Sequence, residues 1–275
     1  MLGSAGVRPS KRLGQNFLVD RRVLERIVAE VERIAPTRVL EIGAGLGTVT
    51  QELATVVERV VAVEVDRRLV ELLRTRLARL PNVSIRCADI RDVDPGEVFE
   101  GDSGFVVGNI PYSITAPILR YLVSHRSTMD GALLLTQRDV AEKLAASPGR
   151  NGTALGVLVR SYAELIHVAS VGCRSFLPAP EVGSSLWRMT FLSEPRFSLS
   201  GEAAFFTVVR TLYGARRKMV RRALRRILGA EEATRALADA GIDPTRRGET
   251  LTFEELDCLA SAVESTAGPT STPGR

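Results

Sequence analysis

Thr37-Arg38-Val39-Leu40-Glu41-Ile42 reads as a buried strand that runs without a spacer into Gly43-Ala44-Gly45-Leu46-Gly47, and a helical stretch, Thr48 to Thr55, follows at once. Glycines between a strand and a helix let the backbone approach a ligand closely at the helix N-terminus. A second strand, Arg59 to Val63, ends at Glu64, twenty-one residues past Gly43. That spacing suits a carboxylate accepting hydrogen bonds from both hydroxyls of a ribose. A third strand, Val83 to Cys87, ends near Asp89, where a carboxylate can accept the amino group of an adenine ring. Val39, Val60, Val83, Val106 and Leu133 fall in successive strands separated by helical segments, which predicts an α/β fold with a parallel sheet covered on both faces. Leu165 to Val171 and Leu186 to Leu192 read as two further strands, able to form an antiparallel edge hairpin.

A glycine loop alone is a weak signal, and a dinucleotide-binding oxidoreductase is its rival reading. Here Thr48 stands where that fingerprint's third glycine is due, and no basic cradle for a pyrophosphate is evident. Asn109-Ile110-Pro111-Tyr112 sits directly after the apolar run Phe105-Val106-Val107-Gly108. An Asn side-chain oxygen and a neighbouring backbone carbonyl can accept both N–H bonds of an adenine amine and free its lone pair for attack. Pro111 restricts Ile110 to extended geometry, which can aim the Ile110 carbonyl into the same pocket. Tyr112 offers a face on which an extruded base can stack, worth roughly 1–3 kcal/mol. By themselves these four residues are equally well a strand end and a Pro turn with Tyr112 as packing. Joined with the glycine loop, Glu64 and Asp89, each at the end of a successive strand, they point to S-adenosylmethionine.

Composition is that of a globular protein: 275 residues, 45% hydrophobic and 25% charged, room for one sizeable domain and a small one. There is no run of eighteen apolar residues and no apolar core of a secretory signal near the N-terminus, so no membrane association is expected. Cys87, Cys173 and Cys258 are isolated and read as reduced packing residues of a cytoplasmic protein, with neither a disulfide scaffold nor a metal site. His125 and His167 are isolated too.

The net charge is only +5, but between Ala203 and Ala230 stand eight Arg or Lys residues and no acidic one. Val220, Leu224, Ile227 and Leu228 recur at helical spacing, so one side of a helix can pack while Arg217, Arg221 and Arg225 share another. Such runs are usually solvated faces. This one is dense and one-signed, which favours phosphate contact. The chain then divides into a leader over 1–10, a first domain over 11–193, a linker around Glu194-Pro195-Arg196, a helical domain over 201–264 and a polar tail over 265–275. Within the leader's successor, Asp20 is the expected N-cap of a helix that buries Leu24, Ile27, Val28 and Val31.

Lys11 to Leu18, Glu41 to Gly47, Asn109 to Tyr112, and Phe176-Leu177-Pro178-Ala179-Pro180-Glu181-Val182 resemble the ordered motifs of the ribosomal RNA adenine dimethyltransferases, over about Lys11 to Ala260. Arg216-Arg217-Lys218 and Leu251 to Leu256 look like the KsgA type, which acts on the small ribosomal subunit. The resemblance implies a class I methyltransferase fold, Rossmann-like with a mainly parallel seven-stranded sheet, and a small C-terminal helical domain. It implies that Gln15, Asn16, Leu18, Gly43, Gly45, Glu64, Val65, Asp89, Ile90 and Asn109 bind S-adenosylmethionine. Asn109, Ile110, Pro111, Tyr112 and Phe176 would hold the target adenine. On the residues alone Phe176 is better read as a loop anchor; the resemblance places its ring opposite Tyr112. Arg216, Arg217, Lys218, Arg221, Arg222 and Arg225 are the expected contacts to small-subunit RNA in a pre-subunit particle, for a protein working as a monomer. Two positions depart from the family pattern: Gly183, where an acidic residue is common before Ser184-Ser185, and Asp139, in place of a more usual glutamate. The rivals are a large-subunit dimethyltransferase of the macrolide-resistance type and a non-catalytic assembly factor on the same fold.

Overall fold

The computed structural model describes residues 9–146, 152–196, 201–215 and 217–267, with the side chains of Lys11, Tyr112 and Ala267 excepted. Two compact units result. One comprises Met1–Ala141 with Glu164–Phe191, the other Glu142–Ala163 with Leu192–Arg275.

In the first unit, β1 (Phe17–Leu18) leads into α1 (Arg21–Ile34). Asp20 caps α1 by accepting the Arg22 N–H at 3.0 Å, and Leu24, Ile27 and Val31 bury the inner stripe. Val28, expected to join them, is only half-buried. Strand and helix then alternate: β2 (Arg38–Ile42), α2 (Thr48–Leu53), β3 (Arg59–Glu64), α3 (Arg67–Arg76), β4 (Val83–Cys87), α4 (Pro95–Val98), β5 (Gly104–Asn109), α5 (Thr115–Ser124), β6 (Met129–Gln137). After α6 (Arg138–Ala145) and α7 (Ala154–Tyr162) come β7 (Ala163–Val171), β8 (Phe176–Leu177) and β9 (Ser184–Phe191).

Seven strands form one sheet in the order β4-β3-β2-β5-β6-β9-β7. The first five are parallel, with Val39 opposite Val60 and Phe105, and Val106 opposite Ala132. β9 runs antiparallel to β6, and β7 lies outside it. The central strands β2, β3, β5 and β6 are buried almost throughout, as a parallel sheet sandwiched by helices requires. The order reverses between β2 and β5, so the carboxyl ends of these two strands flank the crevice where ligands of open α/β sheets bind. A feature absent from the expected list is a second, two-stranded sheet. It pairs Phe17 with Leu177 and Leu18 with Phe176, tying the N-terminal motif to the Phe176 segment.

The second unit packs α8 (Glu202–Gly214), α9 (Val220–Leu224), α10 (Ala230–Asp239) and α11 (Phe253–Ala267) around Phe205, Val208, Leu212, Leu224, Leu237, Leu256 and Leu259. Val157 of α7 belongs to the same core. The unit therefore takes in Glu142–Ala163, which a division at residue 193 assigns elsewhere, because α7 has its apolar partners there. α11 also runs past the expected end at Glu264. The hydroxyls of Ser265 and Thr266 bond back to the carbonyls of Ser261 and Ala262 at 2.9 and 2.7 Å in this last helical turn.

The basic run is not one continuous helix. α8 stops at Gly214, Met219 is extended and bridges to Arg247, and α9 lasts five residues before a turn. Val220 and Leu224 are buried as the spacing predicts, whereas Ile227 is exposed. Arg216, residues 1–8 of the leader expected over 1–10, the linker residues 197–200 and the tail from 268 lie outside the described residues.

Candidate active site

The crevice is built by the backbone before any side chain enters it. Gly43, Gly45 and Gly47 have φ of 72°, 58° and 75°, a region that side chains other than glycine's rarely tolerate. At Gly45 a Cβ would come within 3.1 Å of the Phe17 ring, and at Gly47 within 2.6 Å of Leu73, so the loop is held close on both sides. The Val63 carbonyl accepts both the Gly43 and Ala44 N–H groups, at 2.9 and 3.2 Å.

Glu64 locks this loop to the end of β3. One carboxylate oxygen accepts the Gly45 N–H at 2.9 Å, and the other accepts the N–H groups of Val65 and Asp66, each at 2.9 Å. A carboxylate offers about four acceptor sites, so three backbone donors leave about one for a ligand. The expectation that Glu64 accepts from two ribose hydroxyls needs two open acceptor sites, and this arrangement leaves about one. Glu64 is also a scaffold, which its spacing alone did not reveal.

Asn109 closes β5 beside the loop, with Gly108 in register with Ile42. Its Nδ2 donates to the Asn16 carbonyl at 2.9 Å, which fixes the amide and leaves Oδ1 as the acceptor. The Ile110 N–H is committed to the Leu135 carbonyl at 2.9 Å, which sets the direction of the chain into Pro111. Tyr112 opens a short 3-10 turn, Tyr112–Ile114, and its side chain lies outside the described residues.

These elements surround one pocket of about 240 Å³ whose wall includes Gln15, Asn16, Gly43, Gly45, Glu64 and Asp89. Val65, Ile90, Asn109, Ile110 and Pro111, also expected, line it as well. Val65 is 51% exposed, an apolar face turned to the opening, while Ile90 is buried. Gln15 is held at the pocket wall by the protein: its Nε2 donates to Asp66 at 3.2 Å and its Oε1 accepts the Ser10 N–H at 2.8 Å. Sequence reasoning missed Arg12, Phe17, Arg91 and Ser113, which also line it. Arg91 was findable, two residues after Asp89 in a turn that returns its side chain to that carboxylate.

Two expected residues lie elsewhere. Leu18 is 4% exposed and belongs to the core and to a smaller cavity of about 40 Å³ beneath the glycine loop. Phe176 is 3% exposed, packed in the core cluster that includes Leu18, Ile27, Leu135 and Leu186. Its pairing through β8 to β1 draws the ring inward, so it presents no free face for an adenine here. The reading from the residues alone, an anchor, describes its place.

The electrostatics are set by carboxylates. Asp66 and Asp89 are each held by an arginine two residues on; Arg68 brings Asp66 down to about 2, and Arg91 holds Asp89 below the usual carboxylate range. Burial pushes Glu41, under the loop, up to about 8, and the Glu64 charge adds to the rise. Thr50, buried beside Glu41, opposes the rise by hydrogen bonding. Among the described residues, no group of three His, Cys, Asp or Glu side chains is placed to hold a metal, and no helix is long and apolar enough to cross a membrane.

In the helical unit, Arg217, Lys218, Arg222, Arg225 and Arg226 line an open cleft of about 710 Å³ with the end of α8. Arg221 is exposed but does not line it.

Over residues 7–260 the chain matches the family described as "Ribosomal RNA adenine dimethylase". Ribosomal RNA small subunit methyltransferase A of Bacillus mycoides is 38% identical over 264 residues, which cover 92% of this chain and 90% of that protein. The proteins of the same name from Bacillus cereus and Bacillus anthracis match equally. Among solved structures, the 23S rRNA methyltransferase ErmE aligns with a TM-score of 0.69 at 29% identity, covering 90% of this chain and 99% of that one. A dimethyladenosine transferase from Plasmodium falciparum shares the fold, with a TM-score of 0.77 at 20% identity over 91% and 98% of the two chains.

Proposed function

The chain belongs to the ribosomal RNA adenine dimethylase family, and from that membership we propose that it transfers methyl groups from S-adenosylmethionine to N6 of adjacent adenosines in small-subunit ribosomal RNA, during ribosome biogenesis in the cytoplasm. The observation that carries this reading is the convergence of the glycine loop, Glu64, Asp89 and Asn109 on one pocket of about 240 Å³.

The residues fit the cofactor. Val65 and Ile90 give the wall apolar side chains, Asp89 offers an acceptor to an amino group, Glu64 offers one to a ribose hydroxyl, and the glycine loop offers close backbone approach. When bound, S-adenosylmethionine supplies a methyl group made electrophilic by its sulfonium, so the protein's contribution is position and electrostatics. Asn109 Oδ1 accepts one N–H of the target amine, its own amide held by Asn16. The Ile110 carbonyl accepts the other. Both oxygens stabilise the positive charge that grows on nitrogen, an effect stronger in the transition state than before it. The surplus proton then passes to solvent, and no side-chain base is required. The basic cleft of the helical unit supplies sequence-independent phosphate contacts, for which one-signed charge suffices.

Incubation with immature small subunits and labelled S-adenosylmethionine, followed by mapping of modified bases, tests the reading. Label in adjacent adenosines of the small-subunit RNA is the expected result. The likeness to ErmE makes large-subunit RNA the second substrate to include; label confined to it would overturn the small-subunit assignment.

A further inference from the structure

Asp89 is not a free carboxylate. Arg91 grips it with three donors: the backbone N–H at 3.0 Å and Nε at 2.9 Å on Oδ1, and Nη2 at 2.6 Å on Oδ2. One strand earlier the chain builds the same device. Arg68 binds Asp66 through its backbone N–H at 3.1 Å and Nε at 3.0 Å on Oδ1, and through Nη2 at 2.6 Å on Oδ2. In that copy Oδ2 accepts one more N–H, from the side-chain amide of Gln15 at 3.2 Å. The Asp66 side chain is 6% exposed, closed over by that partner, whereas the Asp89 side chain is 31% exposed and lines the pocket. The Asp66 copy thus displays what a clamped Oδ2 does: it takes the N–H of an NH₂ group approaching from the side the arginine leaves open.

We propose that Arg91 is a positioning residue for the cofactor's base, holding Asp89 so that the open side of Oδ2 accepts the exocyclic amino group and turns away a keto base. The inference rests on the S-adenosylmethionine reading of this pocket. Its chemistry is one of denied alternatives. A mobile carboxyl can rotate away from a keto oxygen, or take up a proton and donate to it. A carboxylate gripped side-on by a guanidinium can do neither, so a hypoxanthine oxygen would face a fixed anion with no donor between them. A side-on pair also resists rotation in a way that a single ammonium contact does not. The lowering of the Asp89 pKa by Arg91 agrees with a group kept as an acceptor.

The test is calorimetry with S-adenosylhomocysteine and its hypoxanthine counterpart, S-inosylhomocysteine, on the full chain and on Arg91→Ala, Arg91→Lys and Asp89→Ala. Arg91→Ala should weaken S-adenosylhomocysteine binding by about tenfold and shrink the preference for the amino base by about tenfold, since an unfixed carboxyl reads its partner less strictly. Arg91→Lys, which restores charge without the fork, should recover part of the affinity and little of the preference. Asp89→Ala should lose both. If Arg91→Ala keeps wild-type affinity and preference, or binds more tightly, while Asp89→Ala loses them, the Arg91 proposal fails and Asp89 still reads the base. If Asp89→Ala also binds as wild type does, the adenine reading of Asp89 fails with it. The Arg91 and Asp89 side chains are 54% and 31% exposed at a turn, so these variants are expected to fold, and circular dichroism checks that they do.

Discussion

Asn109 Nδ2 donates to the Asn16 carbonyl at 2.9 Å, joining residues ninety-three positions apart. The bond assigns the two ends of one amide: nitrogen to the protein, oxygen to the pocket. It also means that the N-terminal motif is part of the site's construction. Asn16 acts here through its backbone, and its side chain turns to the Gly14 carbonyl at 3.3 Å.

Asn109→Ala should lower methyl transfer by at least about 100-fold, equivalent to losing roughly 3 kcal/mol of transition-state stabilisation. Cofactor affinity should fall less than turnover. Asn109→Asp is the sharper variant, because it keeps an acceptor but sets an anion against the Asn16 carbonyl. It too should be impaired. Single-turnover rates measured beside calorimetric affinity separate the two effects, and near-normal rates in folded Asn109→Ala would remove the side chain from the chemistry.

Glu64→Ala combines a ligand effect with a scaffold effect. It strands the N–H groups of Gly45, Val65 and Asp66. Hydrogen bonds to a charged group are each worth about 1.5–3 kcal/mol, so S-adenosylmethionine binding should weaken by about that range and the protein should also unfold more readily. Affinity for RNA should change little. Unchanged cofactor affinity by calorimetry would take Glu64 out of the ribose site, while unchanged denaturant stability would contradict its role in holding the loop.

Glu41 predicts a pH dependence. Its carboxyl rises from an ordinary 4.5 to about 8 in the folded protein, through burial. Between those values the folded chain holds a proton that the unfolded chain has released, so stability declines as pH climbs from about 4.5 to about 8 and then levels. The decline from this group is at most about 1.4 kcal/mol per pH unit. Glu41→Gln, similar in shape and unable to titrate, should match the wild type in acid and gain on it steadily toward pH 8. Urea unfolding across this range reads the difference, and parallel curves would show that Glu41 does not bind the proton.

The strand-to-glycine-to-helix junction and the acidic strand ends were legible because each is local: one φ above zero or one carboxylate at a fixed spacing. The seven-stranded sheet came with the resemblance, and the strand alternation agreed with it. What was hidden depends on contacts between distant segments. The resemblance gives Phe176 and Leu18 ligand roles, but both are buried where β1 pairs with β8, and a two-residue strand leaves no periodicity to read. α7 is locally an ordinary apolar helix, and only Val157's neighbours show which core it serves. The spacing of Val220 and Leu224 was read correctly as a buried face, yet extended Met219 breaks the longer helix that the charges suggested.

That break changes which cations should act together. Arg217, Arg222 and Arg225 line the cleft of the helical unit, form no ion pair among the described residues, and share the concavity with Lys218 and Arg226. Arg221 does not line it, although a single helix would have grouped it with Arg217 and Arg225. Replacing Arg217, Arg222 and Arg225 with Gln should weaken binding to immature small subunits and flatten its salt dependence. With about 0.7 of slope per single-strand phosphate and about 0.9 per duplex phosphate, three lost contacts predict a change of about 2 to 3 in the slope of log affinity against log salt. Arg221→Gln alone should leave the slope nearly as it was, and S-adenosylmethionine affinity should be the same in all variants. An unaltered slope in the triple variant would mean that the cleft is merely solvated, and a large effect of Arg221 alone would favour the exposed face outside the cleft as the docking surface.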